Sequence, residues 1–242
     1  MLYSLACTKI EFKLILKIKM SFEQDYITKL NSIIHDTTII EFINKLSLST
    51  QKTILNELLC KEEKLENLYV FTDGGCRNNG KNNALGAYGV YFTNKTDSSY
   101  YQFNKCELLD NPTNQKAELT AIYKALVIFL ENITIFHNKN IIIVTDSMYS
   151  INCITKWSNT WIKNNWKTSK GDIVKNIELI KNILDSINKL KNLANLCISF
   201  THTFSHTSPP TDITSLDYYI WYGNNKVDKN ICTLMDEYES KL

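Results

Sequence analysis

Two periodicities divide the chain. From residue 21 to 66 apolar positions recur at helical spacing. Ser21 can cap a helix carrying Tyr26, Leu30, Ile33 and Ile34 on one face. Thr37 or Thr38 can cap a second with Ile39, Ile40, Ile43 and Leu46, and Ser49 or Thr50 a third with Ile54, Leu55, Leu58 and Leu59. Such stripes must be buried against each other or against a neighbouring domain. The charged run Lys61–Glu66 reads as a linker. Beyond it the pattern shortens to strand length. Leu68–Thr72, Ala87–Phe92 and Ser99–Phe103 predict three strands in an antiparallel meander, with a turn at Asn94–Asp97. Thr113 then opens a helix with Ala117, Leu119, Ile122, Leu126 and Phe129 near helical spacing. Ile141–Val144 is continuously apolar, as expected of a strand buried on both faces. A helix-rich stretch, a strand near 196–202 and a last helix from about Lys226 complete the pattern. Antiparallel strands followed by alternating strands and helices predict a mixed α/β sheet covered on both sides.

Residues 1–20 fit neither pattern. Leu14–Leu16, interrupted by Lys13, Lys17 and Lys19, is too short for a secretory signal. A basic leader with few acids can address an organelle, and Met20 can equally be the start of translation; both readings stay open. No stretch is long and apolar enough to suggest a membrane span.

Composition adds two constraints. The 242 residues carry a formal charge of only +2, yet residues 156–191 hold eight lysines and three acids, a local excess of +5. A patch of that sign attracts polyanions, above all phosphate backbones, although a solvated helix face would look the same. Three of the four tryptophans, Trp157, Trp161 and Trp166, fall in this stretch. They imply either a core plug or a partner both flat and anionic. The seven cysteines are odd in number and show no C-x-x-C spacing, which suggests reduced thiols in a cytosolic or nuclear compartment. His202 and His206 are four apart but sit at a strand end, which disfavours a helical zinc site.

Four acids fall at the ends of predicted elements. Asp73 follows the first strand, Glu118 lies early in the helix opened by Thr113, Asp146 follows Ile141–Val144, and Asp228 lies near the start of the last helix. Each alone reads as a cap. Together they read as a cluster that only cations would neutralise, and an all-oxygen donor set suits Mg²⁺ or Mn²⁺.

These residues also carry a resemblance. Tyr69–Cys76, Thr113–Leu119, Val144–Asn152 and the following Trp157, Trp161 and Trp166–Ser169 resemble, in order, the signatures of type 1 ribonuclease H, in its cellular, eukaryote-like branch. The resemblance spans roughly residues 68–240. It implies a mixed five-stranded sheet with helices on both faces over residues 67–242, with the helical 21–66 region and the 1–20 leader outside it. It further implies that Asp73, Glu118, Asp146 and Asp228 hold two divalent ions, Mg²⁺ with Mn²⁺ as substitute. The activity implied is endonucleolytic hydrolysis of RNA paired with DNA, leaving 5′ phosphate and 3′ hydroxyl ends. His206 resembles the family's mobile histidine, which assists proton transfer or product exit. Cys76, Asn78, Asn79, Gln115 and Met148 would contact the RNA strand, with Glu118 also at its minor-groove edge. Asn114, between the strands, and Thr113, Tyr149, Trp157, Trp161 and Asn176 would contact DNA. Lys156, Lys163 and Lys167 would meet phosphates, and Trp166 would pack in the core. Two departures stand out. Asn111 occupies a position where cellular members often carry a phosphate-binding arginine, and the segment from His206 to Asp228 looks like an insertion. The Gly223-Asn224-x-x-x-Asp228 pattern selects Asp228 over Asp212 or Asp217. The amino-terminal helices do not resemble the family's small hybrid-binding domain; packing or docking of a protein partner is expected there, and the chain is expected to act as a monomer.

Overall fold

The computed structural model describes residues 66–93, 98–137, 139–194 and 196–241. The expectations for residues 1–20 and for the three helices before residue 66 lie outside the described residues. The unit Leu65–Leu242 is built on one five-stranded sheet of order β3-β2-β1-β4-β5. Its strands are β1 (Glu66–Arg77), β2 (Leu85–Phe92), β3 (Lys105–Leu109), β4 (Lys139–Thr145) and β5 (Cys197–His202). β2 pairs antiparallel with β1 and β3, whereas β4 pairs parallel with β1 and β5. The mixed sheet is therefore the predicted one. Glu66, read as the end of a linker, instead opens β1 opposite Lys139, with which it forms an ion pair.

The third strand is displaced from its predicted place. Ser98–Phe103 forms a 3₁₀ helix, and β3 starts at Lys105. The reason is spacing: residues three apart eclipse in a 3₁₀ turn. Tyr100 and Phe103 consequently both reach the Phe136 ring, at centroid distances of 5.8 and 5.1 Å. Tyr101 is left to stack on Tyr91. Asn104 Oδ1 accepts the Phe92 N–H at 2.6 Å and ends β2.

Among the described residues six α-helices flank the sheet: α1 (Asn114–Glu131), α2 (Ile133–Phe136), α3 (Met148–Asn152), α4 (Ser158–Lys163), α5 (Ile177–Ala194) and α6 (Leu216–Glu239), with a π-helical turn, Cys153–Trp157, between α3 and α4. Thr113 caps α1, its hydroxyl accepting the Lys116 N–H at 3.2 Å. α1 packs on β1, β2 and α5, and buries Leu119, Ile122, Leu126 and Phe129 completely, each contributing roughly 1.5–3 kcal/mol of transfer free energy.

α6 covers the opposite face and begins about ten residues before the predicted start. Ser215 caps it, accepting the Tyr218 N–H at 3.1 Å, and Asp212 organises the preceding turn through Thr214 and Ser215. The segment read as an insertion is thus half loop and half helix. Its added turns lay Tyr219 and Ile220 over Phe71, Tyr91 and Val144. Gly223 lies within this helix rather than before it, because a Cβ there would stand 2.3 Å from the Phe71 ring. No helix among the described residues is long and apolar enough to cross a membrane.

Candidate active site

The site forms where β1 outruns its parallel neighbour. Pairing of β1 with β4 ends at Phe71–Val144, while β1 continues to Arg77 against β2 alone. Asp73 therefore lies within β1 rather than at its end, two residues past the last parallel pair. Asp146 stands two residues past Val144, just after β4. Thr72 Oγ1 reaches Val144 O at 3.5 Å and ties the strands at this divergence.

Glu118 arrives from the α1 side, and a glycine lets it in. A Cβ at Gly74 would lie 2.2 Å from Ala117 C and 2.2 Å from Glu118 N. Only a bare backbone allows the helix to come so close. Carboxylate oxygens of Asp73, Glu118 and Asp146 then lie within 4.8 Å of one another. Asp73 Oδ1 accepts the Gly74 N–H at 2.7 Å, but Glu118 Oε2 is buried with no hydrogen-bond partner.

The electrostatics follow from this crowding. Burial first, then the charges of Asp146 and Asp228, push Asp73 up to about 7 despite the Gly74 N–H. Burial, then Asp73 and Asp146, hold Glu118 well above the usual carboxylate range. Burial also raises Asp146, opposed by a hydrogen bond from Ser205. Asp228 lies outside the tight trio, midway along α6 rather than near its start, yet close enough for its charge to act on Asp73 and Asp146. Asp212 caps a turn and Asp217 lies in the first turn of α6.

An array of acids raised in this way is unstable as a set of bare anions. It fits divalent cations: the donors are hard oxygens, they converge from three elements, and Glu118 presents an orphaned oxygen to the cluster. Asp73, Glu118 and Asp146, with Asp228 beside them, are the residues that would hold such ions.

The remaining predicted residues surround this cluster unevenly. Thr113, Asn114 and Gln115 are exposed at the start of α1, and Asn79 Oδ1 accepts the Asn114 N–H at 3.3 Å, which links the β1–β2 turn to the helix start. Asn78 and Asn111 are exposed in left-handed backbone, at φ 52° and 47°. Cys76 is half-buried at the end of β1, its thiol near Arg77 O, and Met148 is exposed at the start of α3. Tyr149 hydrogen-bonds Asn176 and meets Trp157 edge-on at 5.8 Å. Trp157 is 39% exposed, with Trp161 5.8 Å away. Trp161 is half-buried against the main core, as is Trp166, which also carries Lys181 Nζ 5.5 Å from its ring. Lys156, Lys163 and Lys167 are exposed, whereas Lys181 and Lys189 pair with Glu178 and Asp185 and add less to the basic surface. His206 is exposed in the turn after β5.

Three contacts were not foreseen. His202 Nε2 lies 3.2 Å from Asp146 O, Ser205 acts on the Asp146 carboxylate to lower its pKa, and Cys232 Sγ stands 3.8 Å from Asp228 Oδ1. Only Cys232, one helical turn past Asp228, had a readable spacing. The other two depend on how the chain turns after β5.

The RNase H family model matches residues 65–229, more than half of the chain and all four acids. The chain belongs to the RNase H family. Ribonuclease H of Clostridium botulinum strain Hall is 35% identical over 129 residues, covering 52% of this chain and 78% of the relative. Ribonuclease H1 of Mus musculus is 37% identical over 115 residues, which span 47% of this chain and 37% of the mouse protein. Among solved structures, the PFV RNase H domain superposes with a TM-score of 0.51 at 20% identity, covering 69% of this chain and 93% of that domain. A foamy viral protease-reverse transcriptase in complex with an RNA/DNA hybrid gives 0.50 at 22% identity, over 69% of this chain and 19% of that one. Both share the fold. The protein is a hydrolase of the ribonuclease H class.

Proposed function

We propose that this RNase H-family hydrolase cuts the RNA strand of RNA–DNA hybrids endonucleolytically, with Asp73, Glu118, Asp146 and Asp228 holding two Mg²⁺ ions. The observation that carries the reading is the convergence of three raised carboxylates within 4.8 Å around an unpartnered Glu118 oxygen. When bound, the cation pair supplies activation of water and stabilisation of the leaving 3′ oxygen, giving 5′ phosphate and 3′ hydroxyl ends. The chain's own part is to hold four acids from β1, α1, β4 and α6 in one place, and to seat the duplex across them. Asn78, Asn79, Gln115 and the groups around Cys76 and Met148 lie on the side proposed for the RNA strand, whose 2′ hydroxyls donate and accept hydrogen bonds. Thr113, Asn114, Tyr149, Asn176, Trp157 and Trp161 form the proposed DNA channel, and the exposed lysines add phosphate contacts that orient without reading sequence. His206 stands at the rim to assist proton transfer or product exit. An intracellular setting, action as a monomer and a protein-docking role for residues 21–66 belong to the same proposal.

Cleavage of end-labelled 20-base-pair duplexes tests it. The hybrid is expected to be cut in Mg²⁺ and spared in EDTA, with matched double-stranded DNA and double-stranded RNA left intact. Equal cutting of all three duplexes would point to a nuclease without hybrid specificity, and binding without cutting to a non-catalytic module.

The two exposed-channel tryptophans should separate. Trp157→Ala should raise the hybrid Kd about tenfold, roughly 1.4 kcal/mol, while leaving Tm within a degree or two. Trp161→Ala should weaken binding and also lower Tm, because half of that ring belongs to the core. Fluorescence anisotropy in EDTA, paired with thermal melts, reads both; an unchanged Kd for either variant removes that ring from the channel.

A further inference from the structure

The turn carrying His206 is anchored on both sides. After β5 the Thr203 N–H donates to Thr145 O at 3.1 Å, and His202 Nε2 lies 3.2 Å from Asp146 O. Two residues past Ser205, Thr207 O accepts the indole N–H of Trp221 at 2.8 Å. Trp221 belongs to the added first turns of α6, and its ring leans on Tyr218 at 5.6 Å. His206, between the two anchors, is exposed and holds a left-handed backbone at φ 53°. A residue with a Cβ stays in that region when its surroundings over-determine it. Here neighbouring Cα atoms are about 3.8 Å apart, so anchors at 203 and 207 confine the backbone of His206 to a short span.

We infer that Trp221 is a positioning residue: its N–H on Thr207 O, opposed by His202 and Thr203 on the end of β4, fixes the turn so that His206 stays beside the acidic cluster. The inference rests on the proposed role of His206. It gives a purpose to the segment between His206 and Asp228, whose helical half brings an indole donor back to the turn at its start. Trp221 is neither one of the four acids nor one of the residues assigned to the duplex, and its partners are Thr207 and Tyr218. Its loss should therefore act on turnover and not on substrate affinity.

A double-mutant cycle tests this with hybrid cleavage in Mg²⁺, using the full chain. Trp221→Phe keeps an aromatic ring and removes the donor. It is expected to lower kcat about fivefold, with the hybrid KM unchanged within twofold. In a His206→Ala background, Trp221→Phe is expected to have no further effect on kcat, because nothing remains to be positioned. A folding defect would instead multiply into both backgrounds equally, so additive losses overturn the inference, as does full kcat in Trp221→Phe alone. Full kcat in His206→Ala would overturn the proposed role of His206 itself, and is distinguishable because it needs no Trp221 variant.

Discussion

Asp73→Asn is expected to lower hybrid cleavage by at least ~10³-fold, about 4 kcal/mol of lost transition-state stabilisation, while making the metal-free protein more stable. Asparagine has the same shape and its Oδ1 can still accept the Gly74 N–H. What disappears is a buried negative charge beside Asp146 and Asp228. In the proposed site this charge would hold cations; without them it is a liability. The sign with pH follows. The folded-state pKa of Asp73, about 7, lies above its ordinary value of 3.8, so between these values the folded protein binds more protons than the unfolded chain. Its stabilising contribution is complete below about pH 4 and is lost as pH rises through about 7. Glu118 and Asp146, both raised, act in the same direction. Melts in EDTA should show the wild-type Tm falling from pH 5 to pH 8, and Asp73→Asn melting a few degrees higher than wild type at pH 8. By the proposed binding to the native state alone, Mg²⁺ should raise the wild-type Tm at pH 8, with a much smaller rise in the variant. A wild-type Tm that is flat across this range and indifferent to Mg²⁺ would remove the cation site, whatever the activity data say.

Gly74→Ala is the second large effect, and it is steric. The new methyl would meet backbone, Ala117 C and Glu118 N at 2.2 Å, and not the yielding end of a side chain. α1 must retreat from β1 by an ångström or more, and Glu118 moves with it. Two losses follow together. Contacts of Leu119 and Ile122 with the core loosen, for a cost on the order of 2–4 kcal/mol. The Glu118 carboxylate leaves the trio, and activity should fall by roughly 10²-fold or more even at temperatures where the variant is fully folded. Raising Mg²⁺ should recover part of that activity, since weakened ligation can be offset by concentration. A Gly74→Ala variant with wild-type Tm and turnover would show that the close approach of helix and strand is unnecessary to the site. The neighbouring Gly75 is a useful contrast: a Cβ there would meet only side-chain ends of Ile231 and Met235, at 3.3 and 3.5 Å.

Much of this site was readable along the chain, for a physical reason. Asp73 and Asp146 each follow an apolar run that can only be a buried strand, and parallel pairing of Val70 with Ile143 brings the ends of those runs side by side. Thr113 is a helix cap in sequence and in structure, which sets Glu118 at the fifth residue of α1. The aromatic segment misled where alternation and three-fold spacing are hard to separate: Ser98–Phe103 is short, rich in rings, and turns as a 3₁₀ helix because Phe136, distant in sequence, accepts two of those rings at once. The start of α6 was hidden for a similar reason. Gly223 reads as a helix breaker until the Phe71 ring is seen filling the space its side chain would take. Trp161, placed in the DNA channel by the resemblance, is also half-buried against the core.

Local order therefore determined most of the elements and their sequence along the chain, and set Asp73 and Asp146 just past apolar runs and Glu118 early in α1, because caps, apolar runs and turn residues act over a few positions and carry their meaning with them. The tertiary structure alone decided how close those acids stand, which glycine makes room for Glu118, how Asp228 reaches the trio from the middle of a long helix, and how Trp221 returns to hold the His206 turn. Each of these depends on surfaces from distant parts of the chain meeting at van der Waals or hydrogen-bond distance, and no single stretch of residues encodes a distance to another.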